Sequence, residues 1–63
     1  MQEKLNKLME EYEISFGMLA KLLGISKQTL TKKVVGEMDF TFPEMEKLIE
    51  LFRISDPQSF FFE

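Results

Sequence analysis

Residues 19–37 read LAKLLGISKQTLTKKVVGE, and this stretch decides the fold. Its apolar spacing and its Gly24 predict a helix that ends in a sharp turn, because glycine readily adopts the positive φ needed there. Ser26 favours the start of a second helix, on which Leu30 is spaced to pack inward. Ala20, a small residue, faces the predicted crossing and lets the two helix backbones approach closely. The stretch therefore predicts a tight pair of short helices.

Positive charge is concentrated in the same part of an otherwise acidic chain. The 63 residues carry a formal net charge of −3. No acidic residue lies between Ile14 and Gly36, a span that we call the basic island, and it contains four lysines: Lys21, Lys27, Lys32 and Lys33. A local charge of +4 within an acidic chain indicates a surface that faces a negatively charged partner.

Length and composition restrict both the fold and the chemistry. The 63 residues fit one small domain, residues 1–63, with a core so thin that oligomerisation would strengthen it. Apolar stretches are too short for a membrane-spanning helix, and a chain with no cysteine suits a reducing cytoplasm. The absence of cysteine and histidine excludes the usual zinc sites and the His-based or Cys-based nucleophiles. We therefore expect no catalytic residues, no metal, no cofactor and no enzymatic activity.

Signals outside this stretch predict further helices. The first helix has an apolar face spaced i, i+3, i+4 and i+7, formed by Leu5, Leu8, Met9 and Tyr12. Thr41 and Glu44 match a capping box and predict a helix that ends near Phe52. Ser55 and Gln58 repeat that pattern and predict a short final turn. The expected fold class is all-α, a compact bundle of four helices plus a terminal turn.

The two helices of this pair are called the motif helices below. The exposed face of the second one carries side chains suited to DNA. They are Lys27, Gln28, Thr31 and Lys32. A glutamine suits adenine, a lysine suits guanine or phosphate, and a threonine methyl suits the thymine methyl. The N-termini of the two motif helices, capped by Ser15 and Ser26, add backbone N–H groups that favour phosphate.

These residues resemble the helix-turn-helix of the lambda-repressor-like (Cro/CI) DNA-binding proteins of bacteria and their phages. The stretch FTFPEMEKLIELFRIS, residues 40–55, is similar to the fourth helix of the small phage regulators in that family. The resemblance spans about residues 5–60 and implies a five-helix domain with its motif at about residues 16–36. It also implies a dimer that binds a near-palindromic operator in double-stranded DNA through the second motif helix.

The resemblance further implies roles for individual positions. The implied base-reading residues are Ser26, Lys27, Gln28 and Thr31, with Lys32 beside them for phosphate. From the helix N-terminus and the charge of the basic island we also expect Ser15 and Lys33 to bind phosphate. Two positions depart from the family pattern. Phe16 stands where relatives commonly place a glutamine that touches phosphate or base. Lys33 stands where many relatives place an aliphatic core residue, and we expect Val34 to take over the packing there.

Residues 60–62 are three adjacent phenylalanines, and they cannot all face inward in one helical turn or on one face of a strand. At least one ring therefore lies outside its own core. We expect the tail, residues 55–63, to form a dimer or partner contact, through Phe52, Ile54, Phe60, Phe61 and Phe62. The alternative is a flexible or self-packed tail.

Two functions remain open from the sequence. The first is a Cro-like transcriptional repressor of phage or prophage origin, acting in the bacterial cytoplasm at the nucleoid without a further domain. The second is a protein-interaction module on the same fold, an antirepressor or antitoxin-like partner of another regulatory protein. A fragment of a longer repressor is a third interpretation.

Overall fold

The computed structural model describes residues 1–62 and contains five α-helices in that range. They are α1 (Gln2–Glu11), α2 (Phe16–Leu23), α3 (Lys27–Val34), α4 (Phe42–Phe52) and α5 (Pro57–Phe62). No strand occurs among these residues, so the predicted all-α class is confirmed. None of the five helices is long and apolar enough to cross a lipid bilayer. Glu63, the last residue of the predicted domain and of the predicted contact segment, lies outside the described residues.

Three hydroxyl side chains start three of the helices, as predicted. Ser15 accepts a hydrogen bond from the Met18 backbone N–H at 3.1 Å, and Ser26 accepts one from Thr29 at 3.0 Å. Thr41 caps α4 within a complete capping box. Each cap satisfies a backbone donor that the first helical turn leaves unpaired, which is worth about 1 kcal/mol.

Glycines end the two motif helices. Gly24 has a φ of 74°, and the following residue, Ile25, donates its N–H to the Ala20 carbonyl at 3.0 Å. Gly36 has a φ of 90° and closes α3 in the same way. Both turns are Schellman motifs, in which a left-handed residue lets the chain leave the helix while its last carbonyls stay bonded.

The start of α5 differs from the sequence prediction. Asp56, one residue after the predicted cap Ser55, accepts a hydrogen bond from the Ser59 backbone N–H through Oδ1 at 3.3 Å. Pro57 consequently occupies the first helical position, where its missing N–H leaves no donor unpaired. The capping box predicted for Ser55 and Gln58 is therefore wrong.

One apolar core joins the helices and the loop before α4. Its buried members are Leu5, Leu19, Ala20, Leu23, Leu30, Val34, Phe40, Leu48 and Phe52. Ala20 is 3% exposed, as expected for the small residue of the predicted crossing. Phe40, a loop residue that the sequence patterns did not place inside, is buried and meets the ring of Phe61 with centroids 6.2 Å apart. Each fully buried leucine contributes about 1.5–3 kcal/mol relative to an exposed one.

A buried ion pair joins α3 to α4. Lys33 Nζ donates a hydrogen bond to Glu44 Oε1, and the two residues are only 7% and 8% exposed. The same oxygen accepts the Thr41 backbone N–H at 2.9 Å, which completes the capping box of α4. One carboxylate therefore closes the first turn of α4 and fixes the inner face of α3.

Replacing Lys33 by methionine should lower the free energy of unfolding by about 2–3 kcal/mol, because the Glu44 carboxylate then stays buried without its cation. Urea unfolding followed by circular dichroism measures this loss. The double variant Lys33→Met/Glu44→Gln should recover most of it, since glutamine preserves the capping box and no charge remains buried. A double variant no more stable than Lys33→Met alone would contradict this account.

Candidate nucleic-acid interface

The α3 helix has a polar outer face and an apolar inner face. Gln28, Thr31 and Lys32 are exposed and follow the i, i+3, i+4 spacing of one helix side. Leu30 and Val34 lie on the other side, at 0% and 7% exposure. The predicted packing role of Val34 is therefore confirmed, and the side chains predicted to read DNA lie where solvent reaches them.

The polar groups on this outer face differ in whether they already make hydrogen bonds within the protein. Gln28 and Lys32 make no side-chain hydrogen bond or ion pair to other residues within the range 1–62. Thr31 donates its hydroxyl to the Lys27 carbonyl at 2.9 Å, which leaves its methyl group for a partner. Ser26 uses its hydroxyl to donate to Thr29 Oγ1 at 3.0 Å and to cap α3, so only one lone pair is left for a base.

The N-termini of α2 and α3 lie beside each other. A shallow groove there is lined by Ser15, Gly17, Ile25 and Lys27, among others. The Lys27 side chain lies back against α2 at Gly17. Ser15 and Lys27 are both exposed, so this groove opens to solvent.

Lys33 does not belong to the solvent-facing cations. The sequence assigned it to phosphate, but its side chain is 6% exposed and its amine is hydrogen-bonded to Glu44. That assignment is corrected, because an amine committed inside the protein does not reach a phosphate. The basic island therefore presents three lysines to solvent rather than four: Lys21, Lys27 and Lys32.

The ionisation of Glu44 follows from the same contact. Burial by itself would raise the pKa of Glu44, since a low-polarity environment disfavours the charged form. The hydrogen bonds from Lys33 and from the Thr41 backbone, together with the Lys33 charge, outweigh burial and lower the pKa. Glu44 is therefore a stable anion at neutral pH, and the ion pair stays intact.

The apolar residues predicted for a partner contact divide into three groups. Phe52 is only 2% exposed and belongs to the core, so its assignment to a contact surface is corrected. Ile54, Phe60 and Phe61 are half-buried against the core. Phe62 is 70% exposed, which meets the expectation that one ring of the final three lies outside.

Phe42 is a candidate contact residue that the sequence patterns missed. It is 78% exposed, the most exposed large apolar side chain among residues 1–62. Phe42 and Phe62 line the same groove, together with Met45 and Phe61. We call these four residues the aromatic face. The available signal was helical position, because Phe42 lies six residues before the core residue Leu48 and therefore about 120° away around α4.

The paired short helices, the glycine turn and the solvent-facing polar side of α3 define a helix-turn-helix DNA-binding domain. A family model described as the Cro/C1-type HTH DNA-binding domain matches residues 4–58. The chain belongs to this family, which confirms the resemblance noted in its sequence. No curated protein and no solved structure matches the chain significantly.

Acid should weaken the fold through Glu44. Because the folded pKa of Glu44 is lowered, its contribution to stability is complete above the ordinary value of 4.5 and is lost as pH falls through the lower folded value. We expect the urea midpoint to decrease between about pH 5 and pH 3. Glu44→Gln should be less stable at neutral pH and should show a shallower decrease in that window. Parallel pH profiles for the two proteins would contradict this assignment.

Proposed function

We propose that this protein is a Cro-like transcriptional repressor of phage or prophage origin. It acts in the bacterial cytoplasm and binds a near-palindromic operator as a homodimer. The α3 helix enters the major groove, and occupancy of the operator blocks transcription from the adjacent promoter. The regulatory direction and the phage origin rest on the resemblance to small phage regulators.

The observation that carries the proposal is the outer face of α3 in a chain of a DNA-binding family. Gln28 and Lys32 are exposed, next to the methyl-bearing Thr31. Solvent-facing amide and ammonium groups one helical turn apart are what a major-groove helix needs for base edges and phosphates. Because the remainder of the chain is acidic and is repelled by DNA, the basic island is the side that approaches DNA.

Roles divide between selectivity and affinity. Gln28 is proposed to make the main base contact, to an adenine, and Thr31 to meet a thymine methyl. Ser26 contributes to base contact with its one remaining lone pair. Lys32 and Ser15 are proposed to bind phosphates, and Lys27 reaches base or phosphate from the start of α3.

The homodimer is proposed to form through the aromatic face. Phe42 and Phe62 expose 78% and 70% of their surface in a chain whose other rings are mostly packed. Two such rings supply roughly 300 Å² of buried area per copy. A specific interface needs about 600–1,000 Å² per partner, so the dimer is weak in free solution and completes its assembly on DNA.

The aromatic face also favours a second candidate function. An exposed apolar surface on an acidic domain suits a protein-interaction module that binds another regulator and little or no DNA. Retention of duplex DNA at low salt distinguishes the two candidates, because the repressor should bind the duplex and the interaction module should not.

Mobility shift against DNA flanking the protein's own gene tests the proposal. With four to eight phosphate contacts per dimer, the slope of log K against log salt should lie near −4 to −7. Lys32→Ala should weaken all duplexes similarly and make that slope shallower by about 2 per dimer. Gln28→Ala should relax base preference at one position and weaken binding to the preferred sequence by about 1–3 kcal/mol.

Lys7→Ala is the matched control, since Lys7 is an exposed lysine of α1 outside the basic island. It should leave both the salt slope and the base preference close to those of the parent protein. No retention of any duplex at low salt would reject the repressor and leave the interaction module as the function.

Sedimentation equilibrium tests the dimer surface. The parent chain should associate reversibly with increasing concentration, and Phe42→Ser/Phe62→Ser should stay monomeric because the apolar contact is removed. Leu22→Ser is a suitable control, since Leu22 is 45% exposed on α2 and lies outside the aromatic face. Equal association of both variants would place the dimer contact elsewhere.

A further inference from the structure

Gly17 and Lys27 are in close contact across the helix-turn-helix. A Cβ atom built on Gly17 would lie 2.9 Å from Lys27 Cε and 3.5 Å from Lys27 Nζ. The first of these distances is shorter than real side chains tolerate, so the Lys27 stem occupies the space that a side chain at position 17 would fill. The missing side chain of Gly17 therefore leaves the space that the end of the Lys27 side chain occupies.

In this position the Lys27 amine lies away from the outer face of α3. Lys27 is the first residue of α3, and helical side chains lean towards the N-terminus of their helix. Its amine consequently lies over the first turn of α2, whereas Gln28 and Thr31 point out from α3. In a helix-turn-helix bound to DNA, the first motif helix crosses the sugar-phosphate backbone.

Phe16 lies in the same first turn of α2, and its side chain has no hydrogen-bonding group. Position 16 therefore offers a phosphate no polar side chain. Lys27 places a cation within that turn instead, and the space for it exists because position 17 is a glycine.

We propose that Gly17 is a positioning residue, whose missing side chain lets the Lys27 amine lie against α2, where it binds a DNA phosphate rather than a base edge. This inference rests on the proposed DNA-binding function and assigns Lys27 to affinity. Lys27 Cε and Nζ form the far end of a flexible side chain, so a side chain at position 17 displaces them without disturbing the backbone. Gly17→Ala therefore moves one cation and leaves the fold in place.

The test measures DNA affinity over a range of salt concentrations for four proteins: the parent chain, Gly17→Ala, Lys27→Met and the double variant. Lys27→Met keeps the apolar stem and should cost roughly 60-fold in affinity at 0.1 M salt, from two lost phosphate contacts per dimer at about 8-fold each. The salt slope should become shallower by about 2, with base preference unchanged. Gly17→Ala should shift affinity and slope in the same direction.

The decisive comparison is Gly17→Ala in the two backgrounds. It should weaken binding when Lys27 is present and change affinity less than about twofold when position 27 is methionine. Its urea midpoint should be equal to or higher than that of the parent, because alanine is the better helix former, so lost folding does not explain the weaker binding.

Three results would overturn the inference. They are an unchanged salt slope in Gly17→Ala, equal loss of affinity in both backgrounds, and a change of base preference in Lys27→Met. Each of them leaves the DNA-binding function standing. A parent chain that retains no duplex at low salt rejects the function itself, which is a separate outcome.

Discussion

The presentation of α3 depends on the buried contact between Lys33 and Glu44. A helix of eight residues is not stable alone in water, so its orientation comes from what its inner face touches. Leu30 and Val34 supply apolar packing, which tolerates small rotations of the helix. A buried ammonium does not, because within residues 1–62 it pairs with one carboxylate, and that carboxylate is held by the capping box of α4. The ion pair thus couples the start of α4 to the rotation of α3, and it reinforces the apolar packing that leaves Gln28 and Thr31 on the outer side.

Sequence patterns predicted the parts of this fold that depend on neighbouring residues. These parts include the caps at Ser15 and Ser26 and the glycine at the end of α2. Each of them acts on residues only a few positions away, so the sequence alone predicts it. The burial of Lys33 was not readable, because lysine is ordinarily exposed and its partner lies 11 positions away in the chain. The left-handed residues that follow α1 and α4 were also hidden, since Glu13 and Arg53 adopt this conformation without a glycine.

For the candidate interface, helical spacing predicted which residues face outward. Whether their polar groups are free to bind a partner depends on hydrogen bonds within the protein, which the spacing does not show. The Ser26 hydroxyl is committed to α3 itself, a consequence of the capping role that the sequence already indicated. The start of α5 was predictable in principle, because a proline in the first helical position places the cap at Asp56. Because Lys33 is buried, the basic island has three exposed lysines. The proposed electrostatic attraction to DNA is therefore local, and the acidic remainder of the chain orients the approach of the protein to DNA.

The small number of exposed lysines links the proposed DNA contact to the proposed dimer. With about three phosphate contacts, one domain has a salt slope near −3 and binds weakly at physiological salt. A second copy held on the same duplex doubles the contacts, and its binding becomes effectively intramolecular. The aromatic face does not need to hold the dimer together in free solution for this to work. A contact of roughly 300 Å² per copy is enough to favour paired over single occupancy once DNA has brought two domains together, and it leaves the protein free to dissociate when the operator is released.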